Sequence, residues 1–151
     1  MRQYALSVKQ PWATLLVHGL KIIEVRRWPT ARRGTVLIHA SRIPDHRQEA
    51  WAKLPLELHK AARQVGGIVG EGELTACVTY CSPEEFANDQ ALHRNEPSWF
   101  EPPKLFGFRF HHLRARPFRA CPGWVRFFVV DEPRHARHRE SLDHELETRK
   151  R

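Results

Sequence analysis

Cysteine is scarce in this chain. Only Cys77, Cys81 and Cys121 occur among 151 residues, an odd number with no Cys-x-x-Cys pair. That argues against a disulfide framework or a zinc ribbon and for a reduced, intracellular setting, with a cytoplasmic location as the expectation. Long apolar runs are missing too. No stretch nears the roughly 20 uncharged apolar residues that cross a bilayer, so no membrane partner is expected. Met1-Arg2-Gln3-Tyr4 opens no apolar run ending in a cleavage site, and no secretory signal is read there. Ten histidines raise the question of a metal, but the tight groupings are His111-His112 and His135-x-x-His138. Neither has a nearby cysteine or carboxylate pattern with ligand spacing, so neither a metal nor a cofactor is expected. Apolar residues are not lacking overall. At 41% hydrophobic the chain can build a core, which excludes wholesale disorder. The length suits one compact domain over residues 1–132, expected to act as a monomer, with a polar tail over 133–151, frayed helix or disordered.

Acid is absent from two internal stretches. None lies between Glu24 and Asp45, where Arg26, Arg27, Arg32, Arg33 and Arg42 fall. None lies between Glu101 and Asp131, which holds Lys104, Arg109, Arg114, Arg116, Arg119 and Arg126. The stretch from Asp45 to Glu101 leans the other way, with ten acids, so most of the positive surplus sits in those two segments of the folded body. Arginine outnumbers lysine 19 to 6. Its planar fork takes phosphate in two hydrogen bonds and stacks on bases, which an ammonium does poorly. Two acid-free segments in one small domain point to an anionic partner, nucleic acid first.

Periodicity gives a coarse order of elements. Tyr4–Val8 reads as a strand, and Pro11, Trp12, Leu15, Leu16 and Gly19 mark a short helix with proline at its start and glycine past its end. Ile22–Trp28 is strand, with Ile23, Val25 and Arg27 on one face and Glu24, Arg26 and Trp28 on the other. A basic loop from Pro29 to Gly34 leads to a buried strand, Thr35–Ala40. Asp45 to Val65 predicts two short helices or one kinked at Pro55. Ile68–Tyr80 is a long strand whose glycines predict a bulge. Ser82 caps a short helix with Pro83 at its first position and Glu84 and Glu85 in its first turn. Leu105–Phe110, Arg114–Phe118 and Val125–Val130 complete the strands. Five or six strands with a few short helices predict an α+β chain built on a small, partly open barrel.

Chemistry-bearing residues concentrate early. Lys9 and Gln10 stand at the mouth of the first helix, whose free N–H groups favour an anion. Lys21, Glu24 and Arg26 fall within six residues around a glycine turn and a strand start. As physics alone this is an ion-pair cluster, and structural pairs of that kind outnumber active sites. Trp12 and Trp28 offer stacking faces beside Arg26 and Arg27, although the Leu15/Leu16 spacing favours the core for Trp12. His39 on an apolar strand reads as a satisfied core histidine. Cys77 and Cys81, four apart, read as small buried hydrophobes on one strand face.

Ser7-Val8-Lys9-Gln10-Pro11-Trp12-Ala13, Gly19 to Arg26, Arg33-Gly34, His39-Ala40-Ser41, Gly70 to Leu74 and Leu105 to Phe108 resemble, in that order, the ASCH domain, a branch of the PUA-like β-barrels. The resemblance covers about residues 4–131. It implies a cleft lined by Lys21, Glu24 and Arg26 that accepts a nucleotide or an oligonucleotide backbone. Lys9, Gln10, Trp12, Arg27, Trp28, Arg32, Arg33 and Ser41 are the further binding candidates. Members are nucleic-acid-binding modules of transcription coactivators, acetylcytidine amidohydrolases or ribonucleases. The amidohydrolase branch uses a Lys-x-x-Thr pair, and Glu24 stands here at the threonine position, which removes that hydroxyl. Lys21 as acid or oxyanion stabiliser, with Glu24 or Glu73 as base, is the catalytic set such a branch would leave.

Three function classes follow. The leading one is a nucleic-acid-binding module, RNA preferred with single-stranded DNA as an alternative. Next is a small hydrolase of a modified nucleoside or of RNA. The third is an Arg-rich face that meets an acidic protein.

Overall fold

In a computed structural model, residues 2–131 are described, and the expected tail over 133–151 lies outside them. Six strands form one mixed sheet in the order β2-β5-β4-β3-β1-β6, curled into a half-barrel. They are β1 (Gln3–Val8), β2 (Ile23–Arg26), β3 (Gly34–Ala40), β4 (Gly67–Tyr80), β5 (Leu105–Ala120) and β6 (Phe127–Val130). Helix α1 (Trp12–Val17) lies between β1 and β2, α2 (Gln48–Trp51) follows β3, and α3 (Pro83–Asn88) and α4 (Gln90–His93) follow β4. The α+β, partly open barrel expected from the strand pattern is the observed architecture.

Strand β1 runs parallel to β3, from Tyr4↔Val36 to Val8↔Ala40, because the chain crosses over through α1 and β2 before returning. Both of its faces are covered. Leu6 and Val8 join Leu15, Leu16, Val36, Ile38, Phe108 and Phe110 in the main core against α1. Ala5 points the other way, into a smaller cluster with Leu37, Ile68, Phe128 and Val130. Burial on two sides is why Val36–Ala40 is buried at every position rather than at alternate ones, with His39 its one polar member.

Strands β4 and β5 pair along their whole lengths, from Tyr80↔Leu105 to Gly67↔Ala120, with three register shifts that bend the sheet. A Cβ on Gly70 would run into both the Arg114 carbonyl oxygen and Val17 Cγ1, so only glycine lets α1 settle onto the concave face. The two separate strands expected over 105–118 are one. His112 adopts φ 51° and absorbs the irregularity that breaks the local pattern. Between residues 45 and 65 the helical periodicity yields only the four residues of α2 and two single 3-10 turns, Leu56–Leu58 and Ala61–Arg63. Ala50, Leu54 and Ala62 are buried there and act as separate tethers to the core. The Ser82 cap is present, accepting a hydrogen bond from the Glu85 N–H at 3.2 Å. Cys81 departs from its expected place: it follows the last residue of β4 and is exposed.

Candidate functional site

Lys21 sits between α1 and β2 and is almost wholly enclosed, at 1% exposure. Its ammonium is held by polar groups. Nζ donates to the His93 carbonyl oxygen at 2.5 Å and to Asn95 Oδ1 at 3.4 Å, and it stands 3.4 Å from Glu24 Oε1. It also lies over the Trp12 ring, 4.7 Å from the centroid. Burial pulls the Lys21 pKa down to about 8, against the pull of Glu24, while Arg26 and Arg94 lower it a little further.

The second oxygen of Glu24 accepts from Arg26 Nη2 at 3.0 Å. The same Nη2 reaches the Ser7 carbonyl oxygen at 2.6 Å, so Arg26 ties β2 to β1 across the open side of the barrel. Arg26 Nε is buried without a hydrogen-bond partner among the described residues. Glu24 and Arg26 share the expected face of β2, but the strand ends at Arg26, and Trp28, in the bend beyond it, packs edge-on against Phe108 and Phe127.

Trp12 does not offer a stacking face. It is buried, and its indole N–H donates to Asp45 Oδ2 at 2.9 Å. Burial alone would raise the Asp45 carboxyl, but hydrogen bonds from the Arg47 side chain, the Arg47 N–H and Trp12 hold it down at about 2. Gln10 is likewise internal. Its Oε1 accepts from the Thr14 N–H at 3.0 Å and the Thr14 hydroxyl at 2.9 Å, and its amide donates to the Gln64 carbonyl oxygen. It fastens a six-residue helix rather than receiving an anion. Lys9 is exposed and Ser41 half-buried, both just beyond the paired ends of β1 and β3.

Glu73 is not in the cluster. It projects from the outer face of β4 beside Glu71 and His112, because the intervening Gly72 faces inward against Phe110 and Leu113. A catalytic pairing of Glu73 with Lys21 has no geometric basis. Arg27 is exposed but bound in two hydrogen bonds to Glu101. Arg33 is exposed and folds back onto the Thr30 and Arg32 carbonyls.

Three arginines sit over aromatic rings around this region. Arg32 lies 3.7 Å from the Tyr4 centroid, Arg47 3.6 Å from Trp99 and Arg126 5.1 Å from Trp28. Trp99 meets Trp12 edge-on at 6.2 Å, so the buried cluster has an arginine-covered indole on either side, Trp99 and Trp28. Arg126 is held at φ 58°, a left-handed backbone that costs a non-glycine residue roughly 1–2 kcal/mol. Asp45, Arg47, His93, Asn95 and Trp99 complete the site and carry no local sequence signal as a set. One sign was readable: Asp45 ends the acid-free run after Glu24, a lone carboxylate with arginines on both sides. Among the described residues no group of three His, Cys, Asp or Glu side chains could hold a metal, and no helix is long and apolar enough to cross a membrane.

Comparison with known proteins supports the same frame. Activating signal cointegrator 1 from Homo sapiens is 53% identical over 38 residues, and that from Mus musculus 50% over 38. The matched stretch is 25% of this chain and spans 6% of those relatives' length. The crystal structure of ASCH from Zymomonas mobilis superposes with a TM-score of 0.60 at 13% identity, covering 93% of this chain and 94% of that one. A mutant form of the same Zymomonas mobilis protein gives 0.61 at 15% identity, covering 93% and 95%, a likeness of fold. The ASCH domain pattern itself matches residues 6–116, the span that runs from β1 into the second half of β5 and carries Lys21, Glu24 and Arg26. This chain belongs to the ASCH domain family.

Proposed function

We propose that this ASCH domain binds nucleic acid, RNA in preference to DNA, with a nucleotide held beside the Lys21, Glu24 and Arg26 cluster. The observation that carries the reading is the pair of arginines that sit over aromatic rings without a carboxylate partner, Arg32 over Tyr4 and Arg126 over Trp28. A guanidinium held over an aromatic ring puts cation and aromatic surface side by side, the mixture that single strands select. Arg32 and Arg126 have no carboxylate within 4 Å among the described residues, so their charge is not spent on any of those. Lys21 supports the reading indirectly: it fixes Glu24, which fixes Arg26 at the opening.

The test is a salt titration of single-stranded RNA binding by the full chain and by an R32Q/R126Q variant. Each phosphate contact on a single strand contributes a log–log slope of about −0.7, so removing two cations flattens the slope by about 1.4 and weakens binding at low salt roughly tenfold or more. An unchanged slope contradicts the assignment.

A hydrolase reading has one specific support. A buried amine with a pKa of about 8 beside a carboxylate is a serviceable acid–base pair. Turnover of acetylcytidine or RNA that disappears in K21M would favour it. Lack of turnover leaves the cluster as a binding element.

A further inference from the structure

A hollow opens away from the Lys21 cluster, between the end of β5, the 121–126 loop and β6. Its volume is about 330 Å³, within the usual range for small-ligand sites. It is lined by Phe128 and Val130, from the smaller apolar cluster, and by Arg119, Cys121, Trp124 and Asp131. Two of these residues are in states that folding alone does not explain.

Arg119 Nη2 is buried with no hydrogen-bond partner among the described residues. No carboxylate of those residues lies within 4 Å of Arg119, although Asp131 lines the same hollow. A desolvated guanidinium donor without an acceptor is the arrangement an incoming anion corrects. Trp124 is 70% exposed, and Val125 beside it is 87% exposed. A large indole left in water next to an unsatisfied guanidinium suits a flat aromatic ring that carries phosphate. The Cys121 thiol is pushed up by burial in spite of Arg119, so it stays protonated and adds no competing chemistry.

The hollow is joined to the first site by a short relay. Arg26 binds the Ser7 carbonyl oxygen. The Cys121 carbonyl accepts from His39 Nε2 at 2.8 Å, which leaves His39 Nδ1 to accept from the Ser7 hydroxyl at 2.7 Å. Gly123 closes over this pair. A Cβ there would lie 2.6 Å from His39 Cε1 and 2.7 Å from Ser7 Oγ, so the loop bearing Trp124 is seated directly on β3 and on β1, whose Ser7 carbonyl holds Arg26. Arg126, two residues beyond Trp124, covers Trp28 beside Arg26 and supplies a cation between the two places.

We infer that the hollow beside Trp124 and Arg119 is a second nucleotide subsite, where a base of a bound single strand stacks on the indole and its phosphate meets the Arg119 guanidinium. The inference rests on the nucleic-acid reading above and extends it from one nucleotide to a strand that crosses β6. It is tested with a dinucleotide and an octanucleotide of single-stranded RNA, binding to the full chain, W124A, R119Q and R26Q. W124A and R119Q should each weaken the octamer about tenfold, R119Q should also flatten its salt slope by about 0.7, and dinucleotide affinity should stay at the wild-type value. Octamer affinity unchanged in both variants but lost in R26Q overturns the subsite while the first reading stands. The same result is expected if a protein partner or the chain's own residues beyond Asp131 occupy the hollow. Failure of the wild-type chain to bind either RNA overturns both readings. Trp124 is exposed, so W124A should fold and carries the test even if R119Q does not.

Discussion

Lys21 is a charge placed where charges are expensive, and its surroundings explain how it is tolerated. Two oxygens from the 93–95 segment, one from Glu24 and the face of Trp12 replace its water. Below about pH 8 the folded and unfolded chains both carry this ammonium, and folding bears the full cost of desolvating it. Between about 8 and the ordinary value of 10.5 the folded chain releases the proton first. The unfolded chain then holds more protons, so this residue's contribution to stability rises with pH across that window. Thermal melts between pH 8 and 10 should show the rise in the wild-type chain and lose it in K21M. Equal pH profiles would mean the amine is solvated. Asp45 has the opposite sign: its carboxyl is held down, and the stability it confers disappears as pH falls from about 4 to 2. D45A leaves the buried Trp12 N–H without an acceptor and frees Arg47 from its pair, a loss of about 2–3 kcal/mol by denaturant unfolding. A loss below about 0.5 kcal/mol would contradict the buried bond.

Elements differ in how far their own sequence specifies them. The cap at Ser82, the glycine end of α1 and the two faces of β2 follow from residues within a few positions, and they are found where local rules put them. Strand β5 was harder to read. His111, His112 and Arg114 are polar and exposed, so alternation fails there, yet pairing with β4 carries the strand through. The helical pattern after Asp45 gave way because Pro55 interrupts it and because Ala50, Leu54 and Ala62 reach the core from separate turns. The same division applies to the site. Lys21, Glu24 and Arg26 share one turn and one strand face, so spacing reveals them. Asp45, His93, Asn95 and Trp99 arrive from distant segments and are joined to the cluster only by folding. Gly70 shows what the packing of α1 demands of the sheet. G70A should destabilise the domain by roughly 1–3 kcal/mol, since its methyl group meets the backbone of β5 and Val17 together. Chemical denaturation within about 0.3 kcal/mol of wild type would mean that α1 does not rest there.

At the scale of the molecule, the two acid-free segments do not form one uniform basic face. Arg114 and Arg116 spend their charge on Glu71 at the outer face of the sheet, and Arg27 spends its charge on Glu101. Arg32 and Arg126, over Tyr4 and Trp28, and Arg119 in the hollow beside Trp124 have no carboxylate partner nearby among the described residues. On the proposed nucleic-acid reading, a net charge of +8 therefore overstates the footprint, which falls to a few arginines without a carboxylate partner. The salt dependence of single-stranded RNA binding by the unaltered chain tests that claim most directly. Arg32, Arg126 and Arg119 together predict tight binding at low salt and a log–log slope of about −2 or steeper. A flat slope, or no binding at low salt, would contradict it.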